Sequence, residues 1–367
     1  VNILVAGRLG RYPERIMTLA ERGHRLTYVT MPAPAQRPTP DVLPSSVPQF
    51  RLPAGPAGAE LTRIAAEHRV DVVYSLKNVW DGSLQLLGEL LDAGVGPVVR
   101  HHKEHFCEPA ELERRALTET AGQIYINQES WDYFRGAYGV SDASAHLLDP
   151  DYLPARYFTD DLTGKLRERD GEPHLLVAGG VSSTRGRTDI RELCAALSRR
   201  RVHVHIYGGK YIGPNAQSIW SVDNAHARAA YARLAESGYV HLHDHIPPER
   251  FVAEWSRYDA GLMHVVAQGT HEVGFQRMNR PNRLVPYLAA GLPVAQQRGG
   301  QEAMERIVRQ EGIGFLFDGY DELADVLHDR ARLGRLGADV LARRGAYTFE
   351  RHADALLEVL AGYAGRR

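Results

Sequence analysis

RPNRLVPYLAAGLPVAQ, residues 280–296, carries a polar turn, a short apolar helix, a glycine and a strand in immediate succession. Pro281, Asn282 and Arg283 make the turn, the run from Leu284 to Ala290 reads as a buried helix, Gly291 stops it, and LPVAQ continues as a strand. Glycine just past a helix is a common stop, because it adopts a left-handed conformation without a Cβ clash. Pro286 stands inside the helix, early enough that its missing N–H need not break the backbone. A helix passing directly into a buried strand is one period of an alternating α/β chain.

The same period runs through the flanking sequence. Upstream lie HLLVAGG (174–180), a helix from Asp189 to Arg199, VHVHIYGG (202–209), YVHLHDH (239–245), a helix from Pro248 to Arg257 and DAGLMHV (259–265). Downstream come a helix near 301–310, GFLF (314–317) and a helix over 321–328. The first half repeats the pattern: NILVAG (2–7), LTYVT (26–30), DVVYSL (71–76), GPVVRHH (96–102) and GQIYIN (122–127) read as strands, with helices from Pro13 to Ala20 and at 61–68, 82–93 and 109–120. Such near-continuous apolar runs belong to parallel strands buried on both faces. Residues 32–59 carry Pro32, Pro34, Pro38, Pro40, Pro44, Pro48, Pro53 and Pro56, which predicts an irregular excursion rather than a central strand.

A chain of 367 residues is long enough for two domains. The pattern places one at 1–150, a polar connection at 151–172, a second domain at 173–345 and a terminal helix over 346–367, with Ala353, Leu356, Leu357 and Leu360 at helical spacing for packing on one domain. Right-handed crossovers make both domains α/β and doubly wound, with helices on both faces of a parallel sheet. Ligands of such sheets bind beyond the carboxyl ends of the strands.

Bulk properties narrow the function. The chain is 44% hydrophobic and 24% charged, as expected of a folded domain. No run approaches the ~20 apolar residues that cross a bilayer, so no transmembrane segment is expected, and VNILVAG lacks the features of a signal peptide, which points to the cytoplasm. Lys+Arg 44 against Asp+Glu 45 leaves a formal charge of −1, and no aromatic ladder accompanies the arginines, so nucleic acid is not an expected partner. Cys107 and Cys194 are the only cysteines and lack the spacing of a thiolate zinc site. Oligomeric state stays open at this level.

Candidate ligand groups cluster at strand ends. Gly7 and Gly10 flank the first turn without the GxGxxG dinucleotide fingerprint. Gly179 and Gly180 precede SSTRGR, where Arg185 and Arg187 offer charged donors for a phosphate, without the lysine and spacing of a P-loop. His101, His102 and His105 follow GPVVR, where contacts to a sugar or phosphate are expected. His241, His243 and His245 alternate along one strand, and neighbours on one strand face lie about 6.6–7 Å apart, too far for one ion, so no metal is expected from either set. QGTHEVGFQRMNRPNRL, 268–284, supplies Glu272, Arg277, Asn279, Arg280, Asn282 and Arg283 ahead of a helix start.

With PNRLVPYLAAGLPVA, HIYGG (205–209) and HDHIPPERFVAEWSRYDAGLMH (243–264) in view, the whole chain resembles the nucleotide-sugar-dependent glycosyltransferases of GT-B architecture, two Rossmann-like domains with an interdomain cleft. Within these it is similar to the large retaining family, glycosyltransferase family 4 or glycosyl transferases group 1, that includes sucrose and glycogen synthases and many bacterial glycan and natural-product enzymes. The resemblance implies an acceptor, small molecule or glycan, on the first domain, a nucleotide diphosphate-sugar as co-substrate on the second, and no further cofactor. It implies that Gly10, Gly180, Arg185 and Arg283 attend the donor diphosphate, that His101 or His102 lies near the transferring sugar, and that Glu272, Asn279 and Asn282 touch the nucleotide or sugar. His105 and Trp80 are the matching acceptor-side candidates. Retention would follow from direct transfer within the donor–acceptor complex, with Arg185 stabilising the leaving diphosphate. The chain departs from the family at two positions: Pro286 stands where a glutamate usually holds the donor ribose, and Met278 where its partner glutamate lies. Either other groups such as Glu272 grip the donor, or the donor or the activity has changed; a nucleotide-sugar epimerase of similar build is the other enzymatic alternative.

Overall fold

The structure is a computed structural model that describes residues 1–7, 9, 16–31, 43–76, 83–103, 110–149, 152–179, 181, 189–207, 222–244, 246–263 and 277–365, apart from the side chains of 110 and 222–228. Its chain divides into two compact units, Val1–Pro154 with Phe349–Arg367, and Ala155–Thr348.

The first unit is a 7-stranded sheet in the order β3-β2-β1-β4-β5-β6-β7. Its strands are β1 (Asn2–Ala6), β2 (Arg25–Thr30), β3 (Gln49–Arg51), β4 (Val72–Leu76), β5 (Val98–His102), β6 (Gly122–Tyr125) and β7 (Ala145–Leu147), and every pairing is parallel. The helices described here are α1 (Met17–Glu21), α2 (Gly58–Glu67), α3 (Ser83–Asp92), α4 (Ala110–Thr118) and α5 (Gln128–Tyr138). All five residues of VVYSL in β4 are buried, as a central strand covered on both faces requires. One face packs Ile3, Val5, Tyr74, Val99 and Ile124 under the carboxyl-terminal helix; the other packs Leu4, Ala6, Val73 and Val98 under Leu61, Ile64, Leu87 and Leu90.

The second unit is a 6-stranded parallel sheet in the order β10-β9-β8-β11-β12-β13. Its strands are β8 (His174–Ala178), β9 (His203–Tyr207), β10 (Val240–His243), β11 (Ala260–Met263), β12 (Val294–Gln297) and β13 (Gly314–Phe317). Its helices are α6 (Arg167–Asp170), α7 (Arg191–Arg199), α8 (Val222–Ala235), α9 (Phe251–Trp255), α10 (Leu284–Ala289), α11 (Glu302–Glu311), α12 (Tyr320–His328) and α13 (Arg330–Arg343). Leu175, Val177, Val204, Ile206 and Phe315 form its core with Leu193, Leu197 and Leu323. In both sheets the order reverses at the first strand, between β1 and β4 and between β8 and β11, which is the doubly wound, dinucleotide-fold arrangement.

Several elements differ from expectation. The proline-rich stretch holds the edge strand β3 and the start of α2, because only its first part is dense in proline. The expected helix 248–257 is a 3₁₀ turn over Pro248–Arg250 followed by five α-helical residues. Residues 155–172 belong to the second unit: Leu166 N donates to Arg257 O at 2.9 Å, and buried Arg167 pairs with Asp259 at 3.4 Å. The last helix, α14 (Phe349–Tyr363), belongs to the first unit and buries Phe349, Leu356, Leu360 and Tyr363 there. Among the described residues no helix is long and apolar enough to cross a membrane.

Candidate functional site

The two units begin with the same device. After β1, Gly7 has φ +101°, and its N donates to Val29 O at the end of β2, 3.0 Å away. After β8, Gly179 has φ +105°, and its N donates to Tyr207 O at the end of β9, 3.1 Å away. Only glycine adopts such φ values at little cost, because it has no Cβ. A Cβ on Gly7 would stand 2.7 Å from Leu76 O at the end of β4, so the first switch point closes only over a bare backbone. A Cβ on Gly179 would meet Cζ and Nη2 of Arg283, each at 3.4 Å.

Arg283 therefore lies against the backbone that leaves β8, at the switch point of the second sheet. It is held there by α10. Arg283 is the cap residue of that helix, so Leu284, Val285 and Pro286 fill its first three positions. No intrahelical hydrogen bond is expected of an N–H at those positions, and Pro286 removes none. Its carbonyl still accepts from Ala290 N at 3.1 Å. Tyr287 on the next position is fully buried; its hydroxyl accepts from Ala178 N at 2.7 Å and donates to Leu262 O at 3.3 Å. It thereby clamps α10 across the gap between β8 and β11, and its ring lies 2.4 Å from where a Cβ on Gly261 would be, so that position requires glycine. Burial pushes the Tyr287 phenol up to about 12, against the pull of nearby Arg283, which keeps it a neutral hydrogen-bonding group. Gly291, at φ +72°, ends the helix.

Asn279 is half-buried and Asn282 exposed on the turn before α10, beside Arg283. Met278 and Pro286 are both buried, so apolar groups occupy the interior positions where the family pattern has carboxylates. Gly10, Trp80, His105, Gly180, Arg185 and Glu272 lie outside the described residues.

In the first unit, His101 and His102 end β5 but point to opposite faces of the sheet. Both are interior, at 2% and 0% exposure. His101 Nδ1 is 3.0 Å from Tyr74 Oη. His102 stacks on Tyr125 at 4.9 Å and packs against Phe134 at 5.0 Å. Arg100, fully buried one residue earlier, donates to Ser75 Oγ at 2.7 Å and Leu76 O at 3.3 Å, which ties β5 to the end of β4.

The histidines of the second unit make a structure that the sequence alone did not announce. His241 and His243 share a face, as alternation predicts, but their partners are on neighbouring strands. His174 Nδ1 lies 2.8 Å from His205 Nε2, and His205 Nδ1 lies 2.9 Å from His243 Nε2. His203 Nδ1 lies 2.9 Å from His241 Nε2. Tyr207 and Tyr258 complete this polar, aromatic face, stacked on His243 at 4.5 Å and packed on His205 at 4.5 Å. Burial, then neighbouring histidines, push His174 and His241 down to about 4, and His205 well below its ordinary value. An imidazole chain can satisfy every link while uncharged, because each ring has one donor and one acceptor nitrogen.

The fold is that of GT-B glycosyltransferases. Sucrose-phosphate synthase from Thermosynechococcus elongatus is similar in structure, with TM-score 0.68 and 15% identity over 99% of this chain and 99% of that one. A glycosyltransferase from Rickettsia africae gives TM-score 0.69 and 12% identity over 99% and 98%. Anabaena HepE in complex with UDP gives 0.66 and 15% over 99% and 100%. No protein-family model matches the sequence, and no curated protein matches it.

Proposed function

We propose that this protein is a glycosyltransferase that moves a sugar from a nucleoside-diphosphate sugar to an acceptor, with the second unit holding the donor. The observation that carries the reading is Arg283, fixed against Gly179 at the switch point of the second sheet, within a chain similar over its full length to solved glycosyltransferases. At that place a guanidinium can grip a diphosphate bidentately, and a bare glycine backbone allows close approach. Arg185, in the loop after β8, is proposed as the second phosphate group, and Asn279 and Asn282 as polar contacts of the nucleotide or sugar. As the glycosidic bond to the leaving phosphate breaks, negative charge grows on the diphosphate; a fixed arginine stabilises that charge more than it does the bound donor. A small molecule or glycan is the proposed acceptor, and transfer with retention the proposed course.

HepE is solved with UDP, so uridine is the first base to test. Calorimetric titration of the purified chain with UDP, GDP, ADP and TDP should show saturable binding of one of them near the micromolar range, about −8 kcal/mol. Absence of binding across the panel overturns the donor assignment.

A second reading rests on Met278 and Pro286. With these positions buried and apolar, neither side chain offers the carboxylate oxygens that accept from ribose hydroxyls. A protein of this fold with an unusual donor, or without sugar transfer, is its content. Pro286→Glu separates the two: a gain in nucleoside diphosphate affinity restores the family's ribose grip at that position, and unchanged affinity means the ribose lies elsewhere.

A further inference from the structure

At the amino-terminal ends of the strands of the second sheet, the end opposite Gly179 and Arg283, the chain surrounds an open cavity of about 410 Å³. That volume falls in the roughly 300–1,000 Å³ range of small-molecule sites. Its walls are the segment 162–168 ahead of β8, Ser256 and Asp259 in the turn that enters β11, Ala290, Gly291 and Pro293 in the turn that enters β12, and one side of α13. On α13, Leu333, Gly334, Gly337 and Leu341 fall three and four residues apart and so share that side. A Cβ on Gly334 would meet nothing within 4 Å, so this glycine leaves the space open.

We propose that this cavity binds one small organic anion, a carboxylate carried on an apolar body, with its carboxylate at Lys165 and Arg330. Most other polar groups of the wall are already satisfied by the protein. Asp259 Oδ2 accepts from His174 N at 2.8 Å, and its Oδ1 faces Arg167 Nη1 at 3.4 Å. Ser256 Oγ accepts from Thr163 N at 2.9 Å, and Thr163 Oγ1 donates to Ala253 O at 2.7 Å. Leu333, Leu341, Ala290 and Pro293 make the remainder an apolar surface, and no lining residue is aromatic, so a nucleobase has nothing on which to stack.

Lys165 is the group left over. It is half-buried, and Nζ donates one of its N–H bonds to Tyr258 O at 2.5 Å, which leaves two donors. Among the described residues no carboxylate forms an ion pair with Lys165 or with Arg330, which is exposed at the start of α13. Burial holds the Lys165 ammonium below its ordinary value, against the pull of Asp259 and Glu168. A bound anion offsets that desolvation, because attraction between charges grows as water is excluded. The charge balance fits a single carboxylate. Arg167 and Asp259 cancel as a buried pair, and Lys165 and Arg330 against the exposed Glu168 leave one positive charge in surplus on the wall. A diphosphate would bring more negative charge than this wall answers. The apolar body would lie along α13 and reach Ala290 and Gly291, which follow α10. Arg283 caps the other end of that helix, so this cavity is separate from the proposed donor site and does not depend on it.

Octanoate, octan-1-ol and octylamine test the assignment, since they share one apolar chain and differ in the charge of the head group. Titrated by calorimetry into the full chain, octanoate should bind saturably with a stoichiometry of one, and at least about tenfold more tightly than either of the others, as one charge-assisted hydrogen bond requires. Lys165→Met keeps the stem and removes the charge, and should weaken octanoate binding by at least about tenfold. Gly334→Leu places a side chain in the open space from a helix that leucine favours over glycine, so it should fold as wild type does and abolish octanoate binding. It carries the test should Lys165→Met loosen the segment that Nζ tethers. Absence of saturable octanoate binding to wild type, equal affinities for octanoate and octan-1-ol, or octanoate affinity unchanged in either folded variant overturns the proposal.

Discussion

Arg283 is the residue on which the donor reading turns, and its environment gives the prediction a magnitude. A charge-assisted hydrogen bond contributes about 1.5–3 kcal/mol, so Arg283→Ala should weaken nucleoside diphosphate binding by roughly 10- to 150-fold, with thermal unfolding little changed. Titration of wild type and variant with the nucleotide that binds best checks this; equal affinities would remove Arg283 from the site. Gly179 faces the guanidinium from the other side. Gly179→Ala forces a Cβ at φ +105° and 3.4 Å from Arg283, so it should cost about 1–3 kcal/mol in stability and also displace the arginine, an effect read as a lower denaturant midpoint together with weaker nucleotide binding. His102 is the contrasting case. Its ring is fully buried between Tyr125 and Phe134, so His102→Ala should lower stability by about 2–4 kcal/mol through the cavity it leaves, measurable by urea unfolding whether or not a substrate is present. A stable His102→Ala protein that has lost only transfer activity would point instead to a direct role with the sugar.

At the scale of elements, the histidine face of β8, β9 and β10 makes stability depend on pH in a definable window. His174 and His241 sit near 4 in the folded chain against about 6.5 when unfolded. Between those values the unfolded chain binds protons that the folded chain does not, so stability is full above about pH 6.5 and falls as pH drops toward 4. For His174 alone, a shift from 6.5 to about 4 corresponds, at ~1.4 kcal/mol per unit, to at most about 3.5 kcal/mol, which solvent screening reduces. The groups facing this lattice include Arg167, Asp170 and Glu172 before β8, Tyr239 before β10 and Asp244 after it, and Tyr207, Glu254, Arg257 and Tyr258 from β9, α9 and the turn after it. Urea midpoints measured from pH 7 to 4.5 in the presence of a chelator should decline, and His241→Gln should flatten the decline; a flat wild-type profile would show that the rings accept protons without cost. This lattice also marks where sequence reading stops. NILVA, VVYSL and HLLVA announce themselves because strands covered on both faces are continuously apolar. The pattern in 280–296 was likewise legible, down to the early proline and the stopping glycine. By contrast QFR at β3 is an edge strand of three residues with only Phe50 turned inward, too short to show a period. The histidine pairs join residues 31 and 38 positions apart, so only the strand register brings them together. Arg283 was legible as a basic position before a helix, but its contact with Gly179 depends on Tyr287 holding α10 to two strands, which no local pattern encodes.

At the scale of the whole molecule, the chain leaves the first unit after Pro154 and returns to it at Phe349, so the first unit is built from two stretches separated by the whole of the second. The returning helix α14 supplies Phe349, Ala353, Leu356, Leu357, Leu360 and Tyr363 to one of the apolar clusters of that unit, packed with Ile3, Val5, Tyr74 and Val99. Gly122 at the start of β6 leaves the space that the Tyr363 ring fills, 2.5 Å from where a Cβ would stand, and Tyr363 Oη in turn meets His146 Nε2 at 3.0 Å beside β7. Arg22 ties the same helix to α1 through Asp354 at 2.5 Å. Burial of one large apolar side chain contributes about 1.5–3 kcal/mol, and Phe349, Leu356, Leu357 and Leu360 together therefore match the ~5–15 kcal/mol that ordinarily separates a folded domain from its unfolded state. Deletion of 349–367 removes that contribution and exposes the face of β1, β4 and β5 that it covers. The truncated chain should lose the cooperative unfolding of the first unit while the second, whose core contains none of these residues, keeps its own. Calorimetry and hydrogen exchange distinguish the outcomes: protection lost across β1, β4 and β5 but kept across β8, β9 and β11 is the expected result, and full protection in both sheets would mean that α14 is an accessory to a core that already closes without it. Nucleotide titration of the same truncated chain adds an independent reading. If the second unit holds the donor by itself, diphosphate affinity should survive the loss of the first unit's order within about threefold, or ~0.7 kcal/mol; a loss of affinity beyond that would place part of the donor grip in the first unit.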